Sequence, residues 1–379
     1  MQIVITDIRY KMALAPLWSL TQAGHEVLCG EYEDIPDRQC LGFYSRYCGH
    51  PLRWPRGDRP AQAIAAACPP GSVVLPTGRD TLRAFAADPA AAEQVRVLVP
   101  PLAVLDRADD KAAVEALARS LGIPTPQTYR LEPGETPEAL ARRVRYPVIL
   151  KLRNGEALGL KSWQRYRIAR QAAEFPSLYR QMDRLQPEPV VQDYLAGPDI
   201  GVAMVLDAQS QPVDFFCYES LGEYPLSGGP TCLCRSIEDR QLVQYAAKLL
   251  GALGMQGLAM LDFKGDGRCL LEVNPRLWGS AALATAAEAT LYESWAKATL
   301  GTHTPLDVDT CRPSYRVGVT MKFLPHCLMA AGKQLRAGKP GAFFRGLGAS
   351  LSPGVAEGTC LRGDRRPRRQ YWKNLLGGV

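Results

Sequence analysis

The chain has 379 residues, of which 46% are hydrophobic and 22% are charged. This balance excludes a disordered or fibrous chain, and the length predicts two or three domains of roughly 150 residues each. The net charge of +7 is uneven, because the segment from Arg362 to Lys373 alone carries +5. A basic body that binds nucleic acid is therefore not expected. The basic tail is predicted to be solvated, with contact to RNA or an acidic partner as the alternative.

Leader and membrane signals are missing from the sequence. Residues 1–4 do not begin a basic and then apolar leader, and no apolar run approaches roughly 18 residues, so we expect neither a signal peptide nor a membrane partner. The eleven cysteines are scattered and form no CxxC pair. This pattern favours free thiols in a reducing cytoplasm over disulfides or a zinc site.

The first hundred residues alternate short apolar runs with helical stretches. Strands are predicted over residues 3–5, 27–29, 73–76 and 95–99, and a helix is predicted over 13–22. This alternation is typical of βαβ units around a parallel sheet. No GxGxxG follows the first strand, so a dinucleotide site has little support.

Further elements follow two consecutive prolines, Pro100 and Pro101. Helices are predicted over 109–121, 137–144, 239–253 and 281–300, and strands over 148–152, 190–195, 201–206 and 213–218. The strand at 148–152 contains Lys151 in apolar surroundings, and a loop with Gly155 and Gly159 follows it over 154–161. The last 75 or so residues are predicted to be helical at first, then irregular and basic.

A hairpin over residues 258–274 combines an apolar face with an acidic one. A three-residue loop at 265–267 would pair Asp262 with Leu270 and Met260 with Glu272. The side-chain alternation then places Asp262, Glu272 and Asn274 on one face and an apolar core on the other, formed by Leu261, Phe263, Leu271 and Val273. Two diagonal carboxylates could hold Mg²⁺ or Mn²⁺, whereas an exposed acidic strand is the alternative.

Residues 271–280, Leu-Glu-Val-Asn-Pro-Arg-Leu-Trp-Gly-Ser, resemble the metal-binding signature of the ATP-grasp superfamily, and most closely its carbamoyl-phosphate-synthase-like carboxylate–amine ligases. The resemblance implies α/β and α+β architecture, with an amino-terminal Rossmann-like domain and two lobes that clamp ATP. The implied boundaries are a Rossmann-like domain at 1–108, a nucleotide lobe at 109–189, a metal and substrate lobe at 190–300, and a helical extension with the basic tail at 301–379.

The resemblance also implies roles for individual residues. Lys111 and Lys151 would contact the ATP phosphates, and Arg276 would stabilise the transferring phosphoryl group or the later tetrahedral intermediate. Asp262, Glu272 and Asn274 would hold Mg²⁺ or Mn²⁺. The remaining nucleotide contacts would come from a glycine lid, an adenine-reading hinge and a ribose acid, which are Gly155, Gly159, Asp193, Tyr194, Leu195 and Asp199.

The substrate side departs from the family pattern. Ser220 and Gly222 stand where many relatives carry arginines before the loop at 223–231. Arg235 or Arg316 could replace them, although each could equally be a surface ion-pair residue. Trp278 is expected either to line the substrate pocket or to pack in the core. The nearby thiols, Cys232 and Cys234, are expected to pack and not to react.

The activity implied is a ligase reaction in the cytoplasm. ATP would phosphorylate a substrate carboxylate, and an amine of an amino acid or small metabolite would displace phosphate. Alternatives are a carrier-protein thiol or ammonia as acceptor and a catalytically silent nucleotide-binding scaffold. A biotin-dependent carboxylase is disfavoured because no biotin-carrier segment is apparent. A homodimer is possible at the level of the family, and no nucleic-acid partner is expected.

Overall fold

A five-stranded parallel sheet begins the chain in the computed structural model, which describes residues 1–153, 158–160, 164–224 and 229–377. Its spatial order is β3-β2-β1-β4-β5. These strands are β1 Gln2–Ile5, β2 Glu26–Tyr32, β3 Pro51–Trp54, β4 Val73–Leu75 and β5 Arg96–Val97. Side chains alternate along β1, so that Ile3 and Ile5 enter one core and Val4 enters another. Both faces of the sheet are therefore covered, as the predicted βαβ units require.

Helices pack on both faces of this sheet. They are α1 Leu14–Gln22, α2 Pro60–Ala67, α3 Arg79–Ala87, α4 Pro89–Gln94 and α5 Leu102–Asp109. Short 3-10 helices at Lys11–Ala13, Asp37–Gln39 and Leu41–Tyr44 complete the unit. The helix α6 Lys111–Ser120 then starts one residue after the Asp110 N-cap, whose Oδ1 accepts from the amides of Ala112 and Ala113 at 2.9 and 3.2 Å. The sequence predicted α6 but not α5.

A four-stranded antiparallel sheet follows, in the order β6-β9-β7-β8. Its strands are β6 Thr128–Tyr129, β7 Val148–Lys151, β8 Tyr166–Ala169 and β9 Val190–Asp193. The helices α7 Pro137–Arg143 and α8 Phe175–Leu185 cover one face with Leu140, Phe175 and Met182. In β7, Val148 and Leu150 are fully buried while Lys151 is only half-buried, so the period-two pattern turns the lysine away from this core.

A seven-stranded sheet forms the third layer, in the order β14-β13-β10-β11-β12-β15-β16. Its strands are β10 Asp199–Leu206, β11 Pro212–Glu223, β12 Thr231–Ile237, β13 Gly257–Lys264, β14 Cys269–Asn274, β15 Thr320–Lys322 and β16 Ala356–Glu357. The helices α9 Arg240–Leu253, α10 Ala282–Ala286 and α11 Leu291–Leu300 pack against it.

The single helix predicted over 281–300 is wrong, because α10 and α11 are separate. Glu288 adopts a left-handed backbone (φ 61°) between them. The break is held by tertiary contacts, since Thr290 and Ser294 donate their hydroxyls to the buried Asp214 carboxylate at 2.7 and 2.8 Å. Helix propensity in the alanine-rich segment is overridden by these bonds.

The carboxy-terminal segment contributes β15 and β16 to the large sheet and ends in three helices, α12 Leu324–Arg336, α13 Pro340–Leu351 and α14 Arg366–Leu376. The tail is helical and packed, not irregular as predicted. Most of its basic side chains are nevertheless exposed to solvent, as predicted: Arg362, Arg365, Arg366, Arg369 and Lys373. In α14, Gln370 and Asn374 donate to the Arg38 carbonyl at 3.0 and 2.8 Å. The tail is therefore bound to the amino-terminal unit.

The buried Asp364 carboxylate fastens this tail. It accepts hydrogen bonds from the Trp18 indole at 3.0 Å and from the Ser45 hydroxyl. Asp364→Ala is expected to lower the free energy of unfolding by about 1–3 kcal/mol, because it leaves two buried donors without an acceptor. Urea titration would measure the change, with the exposed Asp58→Ala as control. Equal midpoints for the two variants would contradict this assignment.

Candidate functional site

The β13–β14 hairpin has a different register from the one predicted. Its turn has four residues, 265–268, and Arg268 takes a left-handed conformation (φ 49°). A bulge follows, so that Asp262 lies directly opposite Glu272 and Met260 lies opposite Asn274. The bulge coincides with a contact outside the sheet, in which the Leu270 amide donates to the Pro124 carbonyl at 2.8 Å.

The register change alters the core face but not the polar one. Leu270 is buried, whereas Leu271, predicted for the core, is only half-buried. Asp262, Glu272 and Asn274 remain together as predicted. The Asn274 amide donates to Asp262 Oδ2 at 3.0 Å and to Glu272 Oε1 at 3.2 Å. One amide thus bridges two carboxylates on neighbouring strands.

The two carboxylates have opposite pKa shifts. Burial, with the negative charges of Glu272 and Asp199, raises the pKa of Asp262 well above its usual range. Burial also acts to raise the pKa of Glu272, but Lys111, the Asn274 amide and Lys151 outweigh it and lower that pKa to about 2. A divalent cation between the carboxylates would relieve their mutual repulsion.

The donor set fits a hard divalent cation. Two carboxylates and one amide oxygen are the ligands that Mg²⁺ or Mn²⁺ takes, with the remaining positions left to water or phosphate. The amide would have to present its oxygen, and side-chain amide orientations are assigned from hydrogen bonds. Across the described ranges, no group of three or more His, Cys, Asp or Glu side chains could hold a metal. A cation at this hairpin would therefore have only two acidic protein ligands.

Two lysines of the nucleotide-lobe segment approach this hairpin. Lys111, the first residue of α6, places Nζ 3.1 Å from Glu272 Oε2. Lys151 donates to the Gln192 side-chain oxygen at 3.3 Å. Burial, with repulsion from Lys111, lowers the pKa of Lys151 to about 8. A pocket between the two sheets is lined by Lys111, Val114, Glu115, Lys151, Val190, Gln192, Leu270 and Leu271. Both predicted phosphate-contacting lysines therefore line this pocket, and Lys111 also contacts Glu272, one of the predicted metal ligands.

The predicted hinge connects β9 to β10. The amides of Asp193 and Tyr194 already donate to backbone carbonyls at 3.0 Å, whereas the described part of the chain offers no such partner to the amide of Leu195. Asp199 accepts from Lys264 Nζ at 2.7 Å. The predicted ribose acid is therefore paired across the sheet.

In the predicted lid, Gly159 has a positive φ of 65°, and Gly155 lies outside the described residues.

A second cavity is lined in part by Arg276. It has a volume of 470 Å³ and is lined by Arg9, Tyr10, Met12, Gly78, Arg79, Asp80 and Arg276. All but Arg276 come from the segments after β1 and β4. Parallel strands present their carboxyl ends at one edge of a sheet, where ligands usually bind. That rule could have identified these residues from the sequence, but they were missed.

The arginines of this cavity differ in their partners. Arg9 forms ion pairs with Glu31 and with Asp7, and Arg79 pairs with Asp109. Arg276 donates to the Leu277 carbonyl at 2.9 Å, and no carboxylate among the described residues lies within ion-pairing distance of it. Its charge is therefore the one in this cavity most available to an anionic ligand.

The buried Asp7 shapes the wall of the cavity. It accepts from the Gly78 amide at 3.0 Å and from the Thr81 hydroxyl at 3.0 Å. Position 78 must be glycine for this approach, because a Cβ there would lie 2.5 Å from the Asp7 carboxyl carbon. The loop after β4 is thus held against the loop after β1.

The other candidates lie outside both cavities. Arg235 pairs with Glu219 and Arg316 pairs with Glu288, so both arginines are in ion pairs.

Trp278 is buried, and its ring stacks on Tyr218 at 5.9 Å, which identifies it as a core residue. Burial raises the pKa of Cys234 to about 12, and Cys232 is also buried with a raised pKa, as expected of packing thiols. All eleven cysteines are free. Positions 225–228 of the predicted substrate loop lie outside the described residues.

Comparisons with known proteins agree with this architecture. No protein-family model matches the chain. A biotin carboxylase from Campylobacter jejuni, described as a β-γ-ATP complex, has a TM-score of 0.61 at 15% identity, covering 84% of this chain and 74% of its own. The biotin carboxylase domain dimer of Hydrogenobacter thermophilus 2-oxoglutarate carboxylase, with MgADP, ADP and bicarbonate, has a TM-score of 0.58 at 13% identity, with 84% and 73% coverage.

A third similar structure is a Rhizobium etli pyruvate carboxylase with acetyl coenzyme A. Its TM-score is 0.57 at 13% identity, and the match covers 84% of this chain but 30% of that one. These identities support conclusions about the fold and not about the substrate. The chain has the ATP-grasp fold of these carboxylases, as the sequence predicted.

Proposed function

We propose that this protein is an ATP-dependent ligase, which activates a substrate carboxylate as an acyl phosphate and joins it to an amine with release of ADP and phosphate. The observation that supports this most directly is the meeting of Lys111 with Glu272 at 3.1 Å, beside Asp262 and Lys151. Cationic and acidic groups from two sheets thereby face one cleft. The pocket there has a volume of only about 10 Å³, so a nucleoside triphosphate and its divalent cation would bind after the two sheets move apart.

The nucleotide would lie in the cleft between the four-stranded and seven-stranded sheets. The Campylobacter carboxylase is described as a β-γ-ATP complex, and the Hydrogenobacter domain dimer is described with MgADP and ADP. Here Asp262, Glu272 and Asn274 would hold Mg²⁺ or Mn²⁺, which supplies charge neutralisation at the phosphates. The ammonium groups of Lys111 and Lys151 would hold phosphate oxygens. The hinge Asp193–Leu195 would contact adenine. Asp199 would contact ribose once its ion pair with Lys264 is broken. The loop with Gly155 and Gly159 would cover the phosphates.

The carboxylate substrate would lie in the arginine-lined cavity. Arg276 stands between that cavity and the metal-binding hairpin, since its charge acts on Asp262. It can therefore bind the carboxylate and stabilise negative charge as the phosphoryl group is transferred. Attack of a carboxylate oxygen on the γ-phosphorus releases ADP, and attack of the amine on the acyl carbon then expels phosphate. Exclusion of water protects the acyl phosphate between the two steps.

The acceptor and the oligomeric state belong to the same proposal. An amino-acid amine is the proposed nucleophile, and a homodimer is the proposed assembly; the Hydrogenobacter neighbour is a domain dimer. Bicarbonate, bound to that neighbour, is the smallest acid to be tested. The 470 Å³ cavity, with Tyr10 and Met12 in its wall, favours a larger acid.

The experiment is a screen for ADP release from MgATP over pooled amino acids, small carboxylic acids and bicarbonate, with product masses recorded. ADP that appears only with one acid–amine pair, together with the mass of the dehydrated adduct, would establish the ligase. An acid-dependent ADP signal without an amine adduct would indicate a thiol or ammonia acceptor. MgATP binding without turnover in any pool would favour the silent scaffold.

Nucleotide affinity is expected to fall above about pH 8. The pKa of Lys151 is lowered to about 8, so above that pH the free protein loses the positive charge that would bind phosphate. A bound phosphate would raise this pKa and keep the lysine protonated. One required proton weakens binding up to about tenfold per pH unit. Lys151→Arg should remove the dependence, because arginine stays protonated. Calorimetric titration with ADP from about pH 7 to pH 9.5 measures this, and Lys297→Arg on the surface is the control. A flat wild-type profile would contradict the assignment.

A further inference from the structure

Positive charge is concentrated in the last part of the chain. Residues 310–379 contain thirteen Lys and Arg against two acids, a net charge of +11, so residues 1–309 carry −4 of the total of +7. No Asp or Glu occurs from 310 to 356. Such asymmetry points to a polyanionic partner or surface.

Exposed apolar side chains are concentrated in the same segment. Among the described residues, thirteen large apolar side chains are exposed, and five of them lie within 24 positions of one another. These five are Leu328, Met329, Leu335, Phe344 and Leu351. Isolated exposed apolar residues are ordinary, but a group of them on neighbouring helices indicates an interaction surface.

The helices α12 and α13 present these residues as regular stripes. Leu328 and Leu335 are seven residues apart on α12, and Phe344 and Leu351 are seven apart on α13, so each pair lies on one side of its helix. A short turn joins the helices, and its Lys339 amide donates to the Gln334 carbonyl at 3.0 Å. The exposed fractions rise to 50% at Leu335 and 67% at Phe344, on either side of that turn. Residues 335–341, which include the turn, are all exposed.

Basic residues flank the apolar stripes. Arg336 and Lys339 are exposed and follow Leu335 closely in the sequence, and no acidic residue occurs from 310 to 356. We propose that the α12–α13 hairpin is a docking surface for an anionic lipid bilayer, with its apolar side chains entering the interface and its cations at the headgroups. An interfacial contact of this kind needs no spanning helix. No helix of the described ranges is long and apolar enough to cross a membrane.

The mixture of groups favours a bilayer over a nucleic acid. Phosphate backbones are bound by cations, and leucine or phenylalanine side chains exposed at 50% or more add little to such contacts. A bilayer interface gains from both groups at once, through burial of apolar area and through attraction of the basic residues to anionic headgroups. The hairpin therefore fits a lipid surface with negative headgroups better than it fits RNA.

The test is co-sedimentation of the full chain with vesicles of phosphatidylcholine, alone or mixed with phosphatidylglycerol. The wild-type protein should pellet with the mixed vesicles and be released by salt. The double variant Leu335→Ser/Arg336→Glu should bind at least about tenfold more weakly. A matched control is Arg184→Glu/Leu185→Ser, which alters an adjacent pair at the end of α8, where Leu185 is 46% exposed.

Phe344→Ser separates lipid insertion from simple charge attraction. It removes no charge, and the proposal expects weaker vesicle binding with an unchanged urea midpoint. Three results would overturn the proposal: equal pelleting with both vesicle types, equal loss in the control variant, or no effect of Phe344→Ser on vesicle binding. The last result would show that no apolar side chain enters the interface and would leave only electrostatic attraction to an anionic surface.

Discussion

Glu272→Gln is expected to release ADP at least about a hundredfold more slowly than the wild-type protein. The substitution keeps the shape of the side chain but removes the charge that pairs with Lys111 at 3.1 Å and would hold the cation. Loss of even an outer partner of a metal ligand typically costs roughly 10- to 100-fold. Loss of a direct ligand should cost more. The measurement is steady-state ADP release with the substrates found by the screen.

A matched glutamate is available in the same sheet. Glu219 on β11 also accepts from a cation, Arg235, but lies outside both cavities. Glu219→Gln should therefore retain wild-type turnover. If Glu272→Gln and Glu219→Gln turn over ATP equally well, the hairpin is not the metal site. A thermal melt of each variant shows that both are folded.

Arg276→Ala is expected to slow ADP release by about 10²- to 10³-fold, the cost of removing one fixed donor from developing negative charge. The guanidinium has no carboxylate partner among the described residues, so its loss removes a contact to substrate more than a structural bond. Arg276 lines the 470 Å³ cavity and does not line the pocket beside Lys111 and Lys151, which is the proposed nucleotide site, so the KM for ATP should change little. The KM for the carboxylate should rise.

Arg276→Lys provides a graded comparison. Lysine keeps the charge but cannot form the two parallel bonds that arginine makes to a carboxylate, so only part of the rate should return. Arg235→Ala removes an exposed arginine as control. A normal rate in Arg276→Ala, or a higher KM for ATP with an unchanged KM for the acid, would remove Arg276 from the carboxylate site.

The β13–β14 hairpin shows how far the sequence could predict the candidate site. Alternation along two strands was enough to place Asp262, Glu272 and Asn274 together, because side-chain parity depends only on local geometry. The register required knowledge of the turn and of the bulge. The bulge coincides with the bond from Leu270 to Pro124, a contact between distant segments that no local pattern encodes.

The arginine-lined cavity and the packing of the tail were missed for a similar reason. Arg9 and Arg79 lie 70 residues apart, and only strand order brings the loops after β1 and β4 together. Charge alone suggested a solvated tail, but one buried acid, Asp364, fixes it in place. By contrast, the strand β7, the helix α9 and the Asp110 cap of α6 follow from periodicity and capping signals, which are local.

The bond between Trp18 and Asp364 joins residues that are 346 positions apart. A nascent chain emerges with its amino-terminal unit first, so all five strands of that sheet are available long before their last partner is synthesised. At roughly 5–20 residues per second, the delay is on the order of tens of seconds. Throughout that time the indole donor and the surface beneath α14 are uncovered on the ribosome. Synthesis of the segment around Asp364, more than completion of the first sheet, is therefore the event that supplies the last partner of the amino-terminal unit.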